Sequence, residues 1–282
     1  MNESTLVIPA KFNRDRDGWE FVYHSEQNIQ MDRLIFLTFN TWFSDFHFEE
    51  RFKAILKILK GSNADIIALQ EITDRSLQLI LQEDWVKNHY YISDFSGSTF
   101  YSYGVIFLSK MPINLLYLYP LPSIMGRNVL IAEFVVNKQK ILIGTTHLES
   151  YPISATIRSS QLKEIFQLLN DSNHSVLMGD FNFCSSWVEN STIDNRYLDF
   201  WEILRPDEPG HTEDTDINTM RKNIKQKDKF VRFDRILIRS TDNMWKPKTI
   251  NRIGKKPISP EFPDIFPSDH FGLVGTIEWT KR

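Results

Sequence analysis

Short apolar runs alternate along this chain with segments in which apolar residues recur at helical spacing. Runs at residues 34–39, 65–69 and 176–178 are flanked by turn-forming residues, which is typical of buried strands. Helical spacing occurs at residues 48–59 and again at residues 157–169. The pattern therefore predicts alternating strands and helices, with Gly61 ending the first helix because glycine tolerates positive φ.

A second group of apolar runs has short turns between its members and predicts an antiparallel meander. Its members are residues 103–108, 113–119, 129–136 and 140–145, and further strands are predicted at 232–238 and 272–279. Near the N-terminus, Trp19, Phe21 and Tyr23 alternate with polar residues in the manner of an edge strand. The long polar stretch at residues 207–229 is predicted to be a surface loop.

Two halves, each with strands beside a helix, predict a four-layer αββα sandwich. Two packed, mostly antiparallel sheets would form its centre, with the helices outside. We divide the chain into an N-terminal segment at residues 1–30, expected to pack on the domain as an extension, and one domain at residues 31–282. The sequence has no repeat with a period of about 20 to 50 residues, which argues against a solenoid.

Composition limits the class of protein and the compartment that we expect. The 282 residues are 41% hydrophobic and 24% charged, as in ordinary globular proteins. Cys184 is the only cysteine, which excludes an intrachain disulfide framework and a thiolate zinc site. The chain has no apolar run of about 18 residues and no secretory signal pattern. We expect an intracellular protein, nuclear or cytoplasmic in a eukaryote, with no membrane partner.

Polar residues stand where several of the predicted strands end. They are Asn40, Glu71, Thr146 with His147, residues 179–182 and residues 268–270. Carboxylate, amide and imidazole groups at the ends of neighbouring strands would lie close together around one edge of the sheets. A magnesium-dependent phosphoester hydrolase needs such a set of oxygen ligands. The net charge of −3 gives no general attraction to nucleic acid, so phosphate binding would depend on local basic patches.

Glu71 and Asn40 are the candidates for metal binding. A carboxylate directly after an apolar strand is costly unless it is ligated or paired, and Mg²⁺ usually takes one or two carboxylates. The alternative for Glu71 is the N-terminal cap of a helix that begins near Thr73. Asn40 could bind the metal through water or orient a phosphate, and its alternative is a turn-forming asparagine.

Asp180 and Asn182 are the candidates for activating water. They stand two residues apart in the sequence Gly-Asp-Phe-Asn, and on an extended segment both side chains would face the same way. Asp180 would then accept a proton from a water that Asn182 holds, which is a general-base arrangement. The alternative is a simple Asx turn.

His147 and His270 are the candidates for stabilising charge on the phosphate. Each ends a strand, His147 close to Ser150 and His270 next to Asp269. Imidazolium groups stabilise the charge that develops in phosphoryl transfer, whereas the alternative is a structural histidine. Asp234 lies inside a predicted strand and needs a partner, for which a histidine is the natural candidate.

The remaining candidates would contact the substrate. Arg127 and Asn128 open a predicted strand and could clamp a phosphate, although an ordinary solvated arginine is an open alternative. Trp42 could stack on a base or belong to the core. A basic stretch could track a nucleic-acid backbone or form a solvated loop face, and it consists of Arg221, Lys222, Lys225, Lys227 and Lys229.

These motifs occur in the order seen in the endonuclease/exonuclease/phosphatase superfamily, which the chain resembles from about residue 34 to residue 279. The shared motifs are Asn40, LQE at 69–71, THLES at 146–150, GDFN at 179–182, FDRI at 233–236 and SDH at 268–270. Within the superfamily, MGRN at 125–128, RFDRI at 232–236 and PSDHFGL at 267–273 are most similar to the 5′-tyrosyl-DNA phosphodiesterases. Those enzymes remove topoisomerase II adducts from DNA 5′ ends.

The resemblance implies a deoxyribonuclease-I-like fold and a Mg²⁺-dependent phosphodiesterase, with Mn²⁺ able to substitute. It implies hydrolysis of 5′-phosphotyrosyl bonds in DNA repair, by a monomer whose partners are DNA 5′ ends with a tyrosyl adduct and, secondly, RNA. The residues that it assigns to the metal are Glu71, Asn40 and Asp269. The residues that it assigns to the attacking water are Asp180 and Asn182. The residues that it assigns to the scissile phosphate are His147, Ser150 and His270, with Asp234 orienting His270.

The chain departs from that family's pattern at two positions. Trp42 stands where an acid is general, and Glu213 stands where an aromatic residue is usual. Two alternatives therefore stay open. One is another phosphoesterase of the superfamily, such as a nuclease, a deadenylase-like enzyme or a lipid phosphodiesterase. The other is a catalytically silent, nucleic-acid-binding scaffold, but a scaffold has no physical need for the complete set Glu71, Asp180, Asn182 and His270.

Overall fold

Short strands dominate the computed structural model, which describes residues 3–23 and 27–280. In chain order the strands are β1 (Thr5–Leu6), β2 (Ala10–Asn13), β3 (Gly18–Phe21), β4 (Asn28–Ile29), β5 (Arg33–Asn40), β6 (Ile66–Ile72), β7 (Tyr91–Ile92), β8 (Gly104–Ser109), β9 (Leu115–Pro120), β10 (Asn128–Val136), β11 (Gln139–His147), β12 (His174–Asp180), β13 (Leu198–Asp199), β14 (Glu213–Asp214), β15 (Phe230–Val231), β16 (Asp234–Ser240), β17 (Trp245–Ile253) and β18 (Gly272–Trp279). The helices are α1 (Phe48–Ser62), α2 (Asp74–Gln82), α3 (Asp84–His89), α4 (Ala155–Leu169), α5 (Phe200–Leu204) and α6 (Thr219–Lys225), with 3₁₀ turns η1 (Pro152–Ser154) and η2 (Val188–Thr192).

In the described residues the strands form two large sheets and one small two-stranded sheet, β14-β15. The first sheet has the order β1-β9-β10-β11-β12-β16-β13, with β4 added beside β10, and the second has the order β17-β18-β5-β6-β8-β7-β2-β3. Most neighbours are antiparallel, while β5 with β6, β11 with β12 and β4 with β10 are parallel. The predicted pair of mostly antiparallel sheets is confirmed.

The alternation along β5 shows why the sheets form a sandwich. Leu34 and Phe36 face the other sheet and join the core between the two sheets. Leu37 and Phe39 face the opposite way and pack under α1, α2 and α3. Helix α4 covers the outer face of the first sheet through its own apolar stripe. Strands that bury side chains on both faces require this layering, so the predicted four-layer sandwich is confirmed.

The predicted sheet for β8 and the predicted end of α1 are wrong. Strand β8 pairs with β6 and β7 in the second sheet, so the predicted meander consists only of β9, β10 and β11. Because β8 is apolar on both faces, its pattern does not indicate which sheet it joins. Helix α1 continues through Gly61 to Ser62, and the next residue, Asn63, has a φ of 49°. Asparagine also tolerates this left-handed conformation, so it serves as the cap.

Residues 207–229 are not a surface loop. They contain α6 and the strand β14, which pairs with β15 just beyond them. The Thr212 hydroxyl accepts hydrogen bonds from the backbone N–H groups of Phe233 and Asp234, at 3.0 and 3.1 Å. The buried Asn218 amide donates to the Ser268 carbonyl at 2.9 Å. These polar side chains are buried because they satisfy neighbouring backbone groups, which composition alone does not indicate.

The N-terminal segment adds edge strands to both sheets. Strand β1 pairs with β9 in the first sheet, and the β2–β3 hairpin pairs with β7 in the second. The edge strand predicted around Trp19 and Phe21 is confirmed as β3. Residues 1, 2 and 24–26 of the predicted segment, and residues 281 and 282 at the other end, lie outside the described residues, and the division at residue 30 stays a prediction. In the described part of the chain, no helix combines the length and the apolar character that crossing a membrane requires.

Candidate active site

The polar residues at the strand ends meet at one end of the sandwich. Asn40 is paired with Gln70 across the parallel strands β5 and β6. His147 is paired with Asp180 across the parallel strands β11 and β12. Since parallel strands end at the same edge of a sheet, each pair falls at one rim, and sheet packing brings the two rims together. A cavity of roughly 840 Å³ opens there, and Glu71, Asp180, His147 and His270 are among the residues that line it.

Asn40 joins carboxylates that come from the two different sheets. Its amide nitrogen donates to Glu71 Oε1 at 3.2 Å and to Asp180 Oδ2 at 3.0 Å. Its amide oxygen accepts from the backbone N–H of Trp42 at 3.0 Å. The turn-forming interpretation of Asn40 is therefore confirmed, and its role towards a metal or a phosphate stays a prediction. The amide links one acidic group from each sheet.

Glu71 reaches the cavity through an irregularity in its strand. The pairing of β6 with β8 shifts between Leu69 and Ile72, and Glu71 has a φ of 60°. A left-handed glutamate is strained, and such strain is concentrated at functional sites. Burial, and next the charge of Asp269, raise the pKa of Glu71 to about 7. The alternative of a helix cap is wrong, because Thr73 caps α2.

The turn after β12 places Asp180 at the rim. A Cβ atom at Gly179, where φ is 143°, would lie 2.0 Å from the Thr146 carbonyl oxygen, so only glycine allows this approach of β12 to β11. Asp180 Oδ1 accepts from the backbone N–H of Asn182 at 2.9 Å, which is an Asx turn. Asn182 has a φ of 55° and donates its amide to the Leu148 carbonyl at 3.0 Å. The predicted extended segment is wrong here because this left-handed residue turns the chain.

Asp180 Oδ2 faces both catalytic candidates among the histidines. It lies 3.4 Å from His147 Nε2 and 3.8 Å from His270 Nε2. Burial opposes ionisation of Asp180. The charge of His270 is the strongest opposing effect and, with His147 and the hydrogen bond from Asn40, lowers the pKa of Asp180. Asp180 is therefore a carboxylate in this structure.

His270 forms the predicted pair with Asp234. Its Nδ1 lies 2.8 Å from Asp234 Oδ2, and its Nε2 lies 3.7 Å from Glu213 Oε1. Burial works against the imidazolium, but the carboxylates of Asp234 and Asp180 outweigh it and raise the pKa of His270 well above its usual range. His270 is a charged imidazolium that Asp234 orients.

His147 differs from His270 because its neighbour is an arginine. Arg127 Nη1 lies 3.1 Å from His147 Nδ1, and a guanidinium can only donate. The proton of His147 is therefore on Nε2. Burial, and next the charge of Arg127, lower the pKa of His147 to about 3. The prediction of an imidazolium is wrong at this position, and His147 is a neutral hydrogen-bond donor.

Arg127 and Ser150 lie together at one side of the cavity. Arg127 is buried, and its Nη2 lies 3.4 Å from Ser150 Oγ, so the alternative of a solvated arginine is wrong. Asn128 lies beyond it and lines a second cavity of roughly 350 Å³ that shares Arg127 and His147 with the main one. Trp42 lines the main cavity, and its ring lies 4.5 Å from the guanidinium carbon of Arg51.

Arg51, on α1, is a residue that the sequence analysis missed. It is buried, and its guanidinium donates to backbone carbonyls in two segments that flank the site, those of Thr41, Trp42, Ser44, Phe46 and Pro267. A signal was present, because Arg51 stands three residues after Phe48 and four before Ile55, on the apolar face of the helix. An arginine on that face must satisfy its donors inside the protein.

Glu213 organises the basic residues that face the cavity. It is buried, and it pairs with Arg221 Nε at 2.9 Å and with Lys229 Nζ at 2.5 Å. We call the cavity-lining basic residues the cationic wall, which consists of Arg221, Lys225, Lys227 and Lys229. Lys222 instead pairs with Asp228 at 2.9 Å on the exposed side. The alternative of a solvated loop face is therefore wrong for Arg221 and Lys229, whereas Lys225 and Lys227 are exposed, as that alternative expects.

Several groups of acids and histidines could hold a cation. Asp180, Asp234 and His270 form one close set, and Glu213, Asp269 and His270 form another. In the second set both oxygens of Glu213 already meet cationic side chains. Glu71 and Asp180 offer hard oxygens within 3.2 Å of the Asn40 amide nitrogen, which is the donor chemistry that Mg²⁺ prefers. The residues present therefore fit a hard divalent cation.

Comparison with known proteins agrees with this geometry. The model of the Endonuclease/Exonuclease/phosphatase family matches residues 37–270. Tyrosyl-DNA phosphodiesterase 2 of Xenopus laevis is 27% identical over 252 residues, which are 84% of this chain and 65% of the relative. The human protein of that name is 26% identical over 237 residues, which are 81% of this chain and 63% of the relative. This chain thus spans less than two thirds of the length of these curated relatives.

Solved structures show the same fold. A Danio rerio TDP2 complexed with single strand DNA product has a TM-score of 0.75 and 24% identity, and the match covers 88% of this chain and 100% of that one. A truncated Caenorhabditis elegans TDP2 has a TM-score of 0.72 and 24% identity, with 87% and 97% covered. The family model extends over most of the sequence and includes the strand-end motifs. The chain therefore belongs to the endonuclease/exonuclease/phosphatase family.

Proposed function

We propose that this protein is a Mg²⁺-dependent phosphodiesterase that hydrolyses the 5′-phosphotyrosyl bond between a protein and a DNA end. The observation that carries the proposal is the meeting of Glu71, Asp180, His147 and His270 in one cavity. The names of the curated relatives specify a tyrosyl-DNA phosphodiesterase. The cationic wall supports an anionic strand as the substrate, because phosphate contacts dominate binding to nucleic acids.

The acidic residues would prepare the cation and the attacking water. Glu71, with Asn40 and Asp269 near it, would hold Mg²⁺, which supplies Lewis-acid stabilisation of charge on the phosphate. Asp180 Oδ2 accepts a hydrogen bond from the attacking water and takes its proton as the new P–O bond forms. Asp180 Oδ1 is held by the Asn182 N–H, so the orientation of the carboxylate is fixed before substrate binds.

The basic and neutral donors would bind the phosphate. His270 contributes a full positive charge that Asp234 keeps in place, and His147 contributes a neutral Nε2–H. Arg127 and Ser150 lie beside His147 and add further donors. Fixed donors around developing charge stabilise the transition state without reorganisation. A tyrosine phenolate leaves with a pKa of about 10, so it needs less protonation than an alkoxide.

The proposal is tested with a panel of substrates assayed in parallel. An oligonucleotide with a 5′-phosphotyrosine should release tyrosine and a 5′-phosphate end in the presence of Mg²⁺ and not after chelation, and an RNA version measures the second partner. Unmodified DNA, a polyadenylate strand and a phosphodiester lipid test the other members of the superfamily. Brisk cleavage of one of these without turnover of the tyrosyl substrate would overturn the assignment.

A further inference from the structure

Exposed apolar side chains border the cavity on the side of Ser150. Ile124, Tyr151, Ile153 and Val188 are 72%, 51%, 94% and 73% exposed, and we call this set the apolar rim. The neighbouring residues Met125, Pro152 and Trp187 line the cavity itself. Single exposed apolar residues are ordinary on a protein surface, whereas a group of them beside a binding cavity marks an interaction site.

Buried Glu149 connects the segment that carries Ile124 to the segment that carries Tyr151 and Ile153. Its Oε1 accepts from the backbone N–H of Ile124 at 3.3 Å, and its Oε2 accepts from the Ser123 hydroxyl at 2.6 Å. Glu149 is also the residue before Ser150 and two before Tyr151. The turn that carries Ile124 is therefore fixed against the segment that carries Tyr151.

Buried Arg158 connects the segment that carries Tyr151 and Ile153 to the segment that carries Val188. Its Nη1 donates to the Tyr151 carbonyl at 2.7 Å, and its Nε donates to Glu189 Oε1 at 2.8 Å. Val188 precedes Glu189 in the chain, and the Trp187 ring lies 5.8 Å from the Arg158 guanidinium carbon. Hydrogen bonds of two buried charged groups thus connect the three segments that carry the apolar rim, which preorganises them for binding.

The apolar rim and the cationic wall divide the cavity by chemistry. Phe233 lies between them, because its ring is 4.5 Å from Lys229 Nζ and 5.7 Å from the ring centroid of Trp187, which directly precedes Val188 of the apolar rim. The cationic wall complements a strand of phosphates. The apolar rim offers a phosphate strand no charge, but it would gain free energy from covering apolar side chains. The two walls thus suit a substrate with one anionic half and one apolar half.

We propose that the apolar rim binds the polypeptide half of the substrate, through apolar residues that flank the linked tyrosine. This inference rests on the proposed function, because a protein–DNA linkage is a substrate with these two halves. Binding energy from residues away from the reacting bond then contributes to catalysis. The protein would discriminate between adducts by the peptide around the tyrosine as well as by the DNA.

The test compares three substrates that share one oligonucleotide. Its 5′-phosphate is linked to tyrosine alone, to a peptide with leucine and valine around the tyrosine, or to a peptide with serine and aspartate there. The protein should cleave the apolar peptide with the highest kcat/KM. The double variant Ile153→Ser, Val188→Ser should lose about tenfold in kcat/KM on that substrate and less than about twofold on tyrosine alone. Ile203→Ser, an exposed apolar residue on α5 that does not belong to the apolar rim, is the matched control and should match the wild type on all three.

Each other result overturns the inference in a recognisable way. Equal kcat/KM of the wild type on the three substrates, or an equal loss by the double variant on all of them, would show that the apolar rim does not bind the peptide. Binding to phosphatidylcholine–phosphatidylserine vesicles that the double variant abolishes would assign the apolar rim to a membrane surface. Failure of the proposed function would appear as no cleavage of any substrate. In that case the anisotropy of the labelled apolar conjugate decides, and unchanged affinity in the double variant overturns the inference.

Discussion

Arg127 donates a hydrogen bond to His147, from Nη1 to Nδ1 over 3.1 Å. The bond fixes the tautomer of His147 and turns its Nε2–H towards Asp180. The other histidine of the site, His270, meets Asp234 at the same ring position. One imidazole is consequently neutral and the other is charged. His147 ends β11 as predicted, whereas the prediction that His270 also ends a strand is wrong, because His270 lies in the loop before β18. The neighbour at Nδ1 decides the difference.

This difference predicts the titration of the two rings in the metal-free protein. Between pH 5 and pH 8, His147 should stay neutral, because its pKa is about 3. His270 should keep its proton to a higher pH than an ordinary imidazole, because the carboxylates of Asp234 and Asp180 raise its pKa. Nitrogen-15 NMR of the imidazoles measures both states. In Arg127→Gln the pKa of His147 should rise, because the neighbouring positive charge is gone. A wild-type His147 that titrates near pH 6.5 would contradict this arrangement.

Replacement of Asp180 by asparagine should remove most of the activity and leave the fold intact. We expect a loss of about 10²- to 10⁴-fold in kcat, the usual contribution of a positioned proton acceptor. Thermal unfolding followed by circular dichroism checks the fold. Asp199→Asn is the matched control, because Asp199 is a buried carboxylate that pairs with Arg232 and Arg235. It should lose about 3–5 kcal/mol of stability while the remaining folded protein keeps its kcat. Unfolding of Asp180→Asn would assign that carboxylate to packing.

Cation affinity should fall as the pH is lowered through neutrality. The pKa of Glu71 is raised to about 7 in the metal-free protein, so below that pH a proton must leave before the cation binds. Each further pH unit should weaken Mg²⁺ binding by about tenfold. Calorimetric titration at pH 6, 7 and 8 measures this, together with the protons released. Glu71→Gln should bind the cation weakly at every pH and show a smaller slope. Equal affinity of the wild type at pH 6 and pH 8 would refute the role of Glu71.

Substitution of Arg51 should damage the site as well as the stability. In Arg51→Met, backbone carbonyls on both sides of the site lose their donor, with a cost of about 2–4 kcal/mol and a weaker cation affinity. Arg239→Met is the control, since Arg239 is also buried and donates to the backbone carbonyls of Leu169 and Ser172. Arg239 lies about 16 Å along β16 from Asp234, so its variant should lose stability only. The same cation affinity in both variants would show that Arg51 has no special role.

The residues that sequence could place are those whose position follows from strand geometry. Asn40, His147 and Asp180 each end a strand, Glu71 stands one residue before the end of β6, and parallel strands end at a common edge. Pairing of Asp234 with a histidine also follows, because a carboxylate in a buried strand needs a partner. These rules depend on the backbone direction alone.

The remaining features depend on tertiary contacts that no local pattern encodes. The left-handed turn at Asn182 is fixed by the hydrogen bond from its amide to the carbonyl of Leu148, which directly follows β11. Within the polar stretch at residues 207–229, Thr212 and Asn218 are buried because they satisfy backbone groups far away in the chain, whereas residues 222–228 are exposed. The charge state of His147 depends on Arg127, twenty residues earlier. Each of these features depends on a contact with a residue that is distant in the sequence.

The amide of Asn40 links one acidic group from each sheet. The rate of turnover should therefore depend on the distance between the two sheets. A bulky wedge in the interior, at Phe36 or Ile143 for example, would push the layers apart and stretch that link. Such a variant should lose activity while it still unfolds cooperatively, because the site tolerates less displacement than the fold does.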